Sequence, residues 1–348
     1  MEFCFRARSR AWLLPGAALV IVIGVAACSS APKSSSSSSL TASGLQGQLE
    51  KVIRGVLPSV VQISTKNSTG SGVVFNAQGD IVTNAHVVGT AKTVDVRPAT
   101  SDKELSATVV GTFPPDDLAV VRVNSGADSL KPAKFADSAH AQVGEIVLAM
   151  GNPLGLTDSV SEGIVSATGR TVTAPSEGST TAVISSGIQT TAAINPGNSG
   201  GALVDLSDQV LGIPTLAATN PQAGGLAPGI GFAIPSNTVK NIAGQLISTG
   251  RVTDSGRASL EISAETVANA EGEPAGVGVT SVTSGGAAEV AGIRPGDVIV
   301  GVDNQSTPSV AALDSVLATL KPGSKAKVHL SRDGSSMTVE ATLGTLTS

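Results

Sequence analysis

The chain has 348 residues, enough for two domains and a sizeable core, and carries 40 Gly, 2% aromatics, no Tyr and a net charge of −5. That acidic balance excludes a nucleic-acid-binding protein, which needs a basic surface. The two cysteines, Cys4 and Cys28, both lie in the first 28 residues, and His86, His140 and His329 are widely spaced. A disulfide framework and a zinc cluster are thereby excluded from the folded part.

Arg6, Arg8 and Arg10 precede an apolar run from Ala11 to Ala27, the charge and hydropathy pattern of a secretory leader. The run ends Val25-Ala26-Ala27-Cys28, which resembles a bacterial lipobox. That likeness implies cleavage before Cys28 and a lipid on it, with an uncleaved signal anchor as the alternative. Either way the remainder faces outward, because the arginines stay inside. Residues 1–27 are thus expected to be a lipoprotein signal peptide and 28–47 a tether rich in Ser, too polar to bury a core.

A short amphipathic helix is predicted over about 48–58, ended by Pro58. From Ser59 to Ile234 short strands alternate with Gly-rich turns, the pattern of antiparallel barrels. Strands are expected at Val73 to Phe75, Ile81 to Thr83, Leu118 to Val123, Glu145 to Met150, Gly163 to Ala167 and Val210 to Thr215. Ser236 then caps a helix to about Ser248, with Gly250 as its stop. After a linker at 250–258, a second unit over 259–348 is expected. It holds strands at Leu260 to Ile262, Val277 to Val282 and Val298 to Val300, helices at Ala287 to Ala291 and Ser309 to Leu320, and a hairpin across Asp333-Gly334.

A serine hydroxyl attacks a carbonyl only with a base in reach, a carboxylate to orient that base, and N–H donors for the oxyanion. Ser199 sits among glycines in Asn195-Pro196-Gly197-Asn198-Ser199-Gly200-Gly201, His86 follows a strand in Thr83-Asn84-Ala85-His86-Val87-Val88, and Asp117 opens Asp117-Leu118-Ala119-Val120. Singly, each reads as a turn serine, a core histidine and a turn aspartate. The order His, Asp, Ser is that of chymotrypsin-type proteases.

These segments, with Gly229-Ile230-Gly231-Phe232-Ala233-Ile234-Pro235-Ser236, closely resemble the HtrA (Deg) serine proteases. The resemblance implies a mainly β fold: a chymotrypsin-like double β-barrel over 48–249, followed by an α/β PDZ domain over 259–348. It implies that His86 is the general base, Asp117 its orienter and Ser199 the nucleophile, with Gly197, Asn198 and Ser199 forming the oxyanion hole. Ala193, Ile194, Asn195 and Pro196, with Gly229, Ile230 and Gly231, would line the S1 pocket. None is charged, so a small apolar P1 residue such as Val or Ala is expected. Asp116 neighbours Asp117 but does not match the motif.

Gly285-Gly286-Ala287-Ala288 and Gly292-Ile293-Arg294-Pro295-Gly296-Asp297 look like the PDZ portion of that family. Gly276, Val277, Gly278 and Val279 are expected to capture a peptide C-terminal carboxylate, with the peptide added as a strand beside them and packed on the Ser309–Leu320 helix. The implied partners are unfolded or damaged exported proteins, C-terminal peptides and, through Cys28, the membrane; members commonly form homotrimers. No Gly-x4-Gly-Lys-Ser/Thr loop occurs, so no nucleotide or other cofactor is expected. The family usually reads Thr-Asp-Ala-Ala-Ile-Asn before the serine loop, whereas this chain has Thr190-Thr191-Ala192-Ala193-Ile194-Asn195. The missing carboxylate bears on how the loops order, and it motivates a competing expectation of a latent protease acting as a binding module. A purely structural lipoprotein is the third reading. His140, His329, Met150 and Trp12 carry no functional signal.

Overall fold

A computed structural model describes residues 42–348 apart from Thr100, Asp102, 153–158, 175–181, Pro196 and 221–224. The expected leader, Cys28 and the first part of the tether lie outside the described residues. Among the described residues, no helix is long and apolar enough to cross a membrane. The first helix, α1 (Ala42–Val56), begins well before residue 48 and runs into a 3-10 turn at Leu57–Ser59. Val52 and Val56, four apart and both buried, seat it on the core.

Six strands follow: β1 (Val60–Ser64), β2 (Thr69–Val74), β3 (Asp80–Thr83), β4 (Thr93–Pro98), β5 (Leu105–Phe113) and β6 (Leu118–Val123). They close into a barrel in the order β1-β2-β3-β6-β5-β4. Successive side chains of a strand point to opposite faces, yet Val60 and Val61, Val73 and Val74, and Val120 and Val121 are all buried. Val61, Val74 and Val121 fill the barrel, while Val60, Val73 and Val120 face a second core.

The second barrel comprises β7 (Lys134–Phe135), β8 (Ile146–Gly151), β9 (Ser159–Ala174), β10 (Ala182–Thr190), β11 (Ala202–Val204), β12 (Gln209–Asn220) and β13 (Gly225–Pro235). Strands β8-β9-β10-β13-β12-β11 form a ring, closed by β11 pairing β8, and β7 adds in parallel to β12. Its interior holds Val147, Ala149, Ile188, Leu203 and Ala233. The seam between the barrels is packed by Phe113, Leu118, Met150, Ile213 and Ile234. A short helix, α2 (Ala85–Val88), leaves β3, and α3 (Ser236–Thr249) covers the seam with Val239, Ile242 and Leu246. Gly250 ends α3 at φ +74°, as expected of a left-handed stop. Ser236 does not cap it: its hydroxyl donates to the Ala136 carbonyl instead (2.8 Å).

The C-terminal part has its own core around Leu260, Val277, Ile299, Leu313 and Val328. Its strands are β14 (Ala258–Ser259), β15 (Ile262–Ala268), β16 (Pro274–Val282), β17 (Val298–Val302), β18 (Gln305–Ser306), β19 (Lys325–Arg332), β20 (Ser335–Thr342) and β21 (Gly344–Thr345). Helices α4 (Ala287–Val290) and α5 (Val310–Leu317) complete it; Ser309 Oγ caps α5 by accepting from Ala312 N–H (3.2 Å). Asp333 and Gly334, both at positive φ, make the expected hairpin between Arg332 and Ser335.

The fold departs from the expectation for Gly276 to Val279. Strand β16 lies inside the sheet, with Val277 opposite Thr266 on one side and Ile299 on the other. Gly276, Val277, Gly278 and Val279 therefore have no open edge for an added strand. The edge next to α5 belongs to β15, whose Thr266 Oγ1 accepts from Val310 N–H (3.2 Å).

Candidate active site

The chemistry gathers at the mouth of the seam between the barrels. His86 is carried by α2, and Asp117 follows a 3-10 turn (Pro114–Asp116) between β5 and β6. Asp117 has φ +51° and ψ +42°, a left-handed conformation uncommon outside glycine, asparagine and aspartate. Its carbonyl accepts from Ala85 N–H (3.1 Å) and Asn84 Nδ2 (3.0 Å). Its carboxylate is buried and accepts from His86 N–H (3.0 Å). His86 Nδ1 lies 2.8 Å from Asp117 Oδ2 and 3.0 Å from Oδ1. A carboxylate can only accept, so Nδ1 carries the proton and Nε2 presents a lone pair. Burial alone would pull the His86 pKa down, but the hydrogen bond and negative charge of Asp117 outweigh it and leave it above its ordinary value.

Thr215, on β12, was not singled out by the sequence. Its buried hydroxyl donates a short hydrogen bond to Asp117 Oδ2, so a residue of the second barrel completes the hold on an aspartate of the first. A lone threonine in an apolar strand gives no signal of this in sequence.

Ser199 lies in a turn assembled from both barrels. Ser71 of β2 donates its N–H to the Ser199 carbonyl (2.9 Å) and its hydroxyl to the Gly197 carbonyl (2.5 Å). Gly200 donates to the Pro214 carbonyl (2.9 Å). At Gly200, with φ +80°, an added Cβ would come within 2.3 Å of the Ser71 carbonyl oxygen, so only glycine fits. Asn198 N–H is spent on the Asn195 carbonyl (3.2 Å) and Gly201 N–H on the Asn198 carbonyl (3.0 Å). Among the described residues, the N–H groups of Gly197 and Ser199 have no such acceptor. Gly197, at φ +110°, can aim its N–H where an oxyanion would sit. The Asn198 side chain braces the turn, accepting from Asn195 N–H (3.0 Å) and donating to the Ala193 carbonyl (3.0 Å). Among the described residues no hydrogen bond joins Ser199 to the His86 ring; such bonds are often long in enzymes without substrate.

Of the expected S1 residues, Ile194 is buried and its Cγ1 would lie 2.4 Å from a Cβ at Gly231. Ile194 and Gly231 thus stand face to face, and Ile230, next in sequence to Gly231, is exposed. Ala193 and Asn195 are exposed, Gly229 turns at φ +74°, and Pro196 lies outside the described residues. Thr191, the departure noted above, accepts from Ile164 N–H through its hydroxyl (2.9 Å) and donates its own N–H to the Ile164 carbonyl (3.1 Å). One neutral side-chain bond to β9 stands where the resemblance leads one to expect a carboxylate.

The fold and site define a trypsin-like peptidase joined to a PDZ domain. Models of these two families match residues 70–213 (trypsin-like peptidase domain) and 250–343 (PDZ domain). The chain is 38% identical over 315 residues to serine protease PepD of Mycobacterium tuberculosis, covering 86% of this chain and 66% of that protein. It is 39% identical over 298 residues to the Do-like HtrA of Lactococcus lactis, covering 81% and 72%. The serine endoprotease from Yersinia pestis has a similar structure, with a TM-score of 0.56, 32% identity, and 85% of this chain and 97% of that one covered. The chain therefore belongs to the HtrA family of serine proteases, and spans about two thirds of PepD's length.

Proposed function

We propose that this protein is an ATP-independent endopeptidase that cleaves unfolded or damaged exported proteins through Ser199. The observation that carries the reading is the Asp117–His86 pair, with Nδ1 protonated and Nε2 left as a base. His86 takes the Ser199 hydroxyl proton as the oxygen attacks the scissile carbonyl. The N–H groups of Gly197 and Ser199 receive the oxyanion, and His86 returns the proton to the leaving amine. Water, activated in the same way, then releases the acyl group. The opposition of Ile194 and Gly231 supports a preference for Val or Ala at P1. A substrate strand or C-terminal peptide would add at the β15 edge against α5. That a peptide binds at all draws support from the solved structure of the HtrA-type protease AlgW with a decapeptide, which is 29% identical with a TM-score of 0.56. We place the protease domain at 48–249 and the PDZ domain at 259–348, held outside the cytoplasm by a lipid on Cys28, with trimers as the assembly.

The test is cleavage of unfolded casein and labelling by a fluorophosphonate, wild type beside Ser199→Ala. The wild type should cleave and label, and the variant should do neither; equal cleavage by both would refute the assignment. Thr191 supports the second reading, a protease latent until a peptide binds. Labelling that appears only with a C-terminal peptide would select it.

A further inference from the structure

Asp116 is not an idle neighbour of Asp117. Its buried carboxylate pairs with Arg257, whose guanidinium is buried too, at 2.7 Å from Nη1 to Oδ1. The same Nη1 donates to the Pro115 carbonyl (2.9 Å). Arg257 stands at the entry to β14, and its backbone is fixed there: its N–H donates to Ser255 Oγ (3.2 Å) and its carbonyl accepts from Leu346 N–H (2.8 Å). One residue at the root of the C-terminal domain thus grips two consecutive residues of the turn that ends at Asp117.

That turn needs gripping. A left-handed conformation is less favourable than the ordinary ones for a residue with a Cβ, so contacts on both flanks of Asp117 help to keep it there. Asn84 and Ala85 hold the far side through the Asp117 carbonyl. Arg257 holds the near side through Pro115 and Asp116.

The pair is not built for stability alone. Among the described residues, Asp116 Oδ2 and Arg257 Nε are buried without a hydrogen-bond partner, and an apolar pair of similar volume would join the segments without desolvating two charges. What the charges add is direction, because the guanidinium fixes a carbonyl and a carboxylate at once. The Arg257 charge also reaches Asp314 of α5, opposing the rise in pKa that burial imposes there.

We propose that Arg257 is a positioning residue for the reaction: it holds the turn that presents Asp117 to His86 and ties that turn to the PDZ domain. The proposal rests on Ser199 being the nucleophile. The full chain is compared as wild type, Arg257→Met, and the double variant Asp116→Leu/Arg257→Met. The readouts are fluorophosphonate labelling, kcat and KM on a chromogenic peptide with Val at P1, and the urea midpoint. Arg257→Met should lower kcat about 10- to 100-fold, the scale of a small misplacement of a reacting group, with KM within about threefold. It should also lower the urea midpoint, because Asp116 is left buried and unpaired. The double variant should regain the midpoint, since neither charge remains, while kcat stays at least about tenfold low. Recovery of kcat together with the midpoint would overturn the proposal and leave the pair a structural tie. A wild type that does not label even with a C-terminal peptide present overturns the nucleophile reading, and this one with it.

Discussion

Thr215→Val removes one hydroxyl and keeps the side chain's shape. Asp117 is 4% exposed and its carboxylate accepts from three donors: His86 N–H, His86 Nδ1 and Thr215 Oγ1. Water has no ready route to replace the third. A hydrogen bond to a charged group contributes about 1.5–3 kcal/mol, so the variant should lose about that much stability in urea at pH 7. The bond also fixes the rotation of the carboxylate that orients the imidazole. If about 1.4 kcal/mol of the loss appears in the transition state, kcat falls about tenfold with KM nearly unchanged. Steady-state kinetics on a chromogenic peptide, beside urea unfolding of the same samples, measures both. A variant that loses the stability but keeps kcat within about twofold would refute the orienting role. One that loses neither would refute the buried bond itself.

Because the His86 pKa stands above its ordinary value and the base must be neutral to act, activity should fall as pH drops through that raised pKa. In Asp117→Asn the negative charge is gone and burial remains, so the acidic limb of the pH–kcat/KM profile should move to lower pH while kcat falls by roughly 10⁴. In the PDZ domain the buried Asp297 carboxylate accepts from Arg332 Nε and Nη2 (both 2.7 Å) and from Arg294 N–H (2.8 Å). The hydrogen bond from Arg332 leads in holding its pKa below the usual carboxylate value. A lowered pKa contributes stability above the unfolded-state value, which is lost as pH falls through the folded one. Asp297→Asn should therefore destabilise the chain by about 2 kcal/mol at pH 7, and calorimetry should show that difference closing below about pH 4.

The triad segments stood out in sequence because the chemistry restricts them. Only a few residue types serve as nucleophile, base and orienter, and the serine turn demands glycine where Gly200 meets the Ser71 carbonyl. The barrels were legible as short β-branched runs. What escaped was non-local. Whether Val60 or Val61 faces the lumen depends on a second barrel that no local pattern announces. Gly276 to Val279 look like a receptive loop until the pairing of β16 on both edges is known. Thr215 and Arg257 do their work on a residue about a hundred or more positions away, so one reads as a strand residue and the other as linker. The early start of α1 was hidden by Ala42-Ser43-Gly44, whose composition continues that of the tether.

The seam between the barrels has a consequence for the chain's own safety. His86 and Asp117 come from one barrel, and Ser199, Thr215 and Pro214 from the other. A copy with only its first half formed holds a base with nothing to activate. A copy whose halves have come apart loses the tether on Asp117 and the brace that Ser71 gives the serine turn. On the proposed mechanism, nascent and damaged copies are thus inert toward their siblings, and the power to cut arrives only with the last docking step, when the molecule is no longer an unfolded substrate itself.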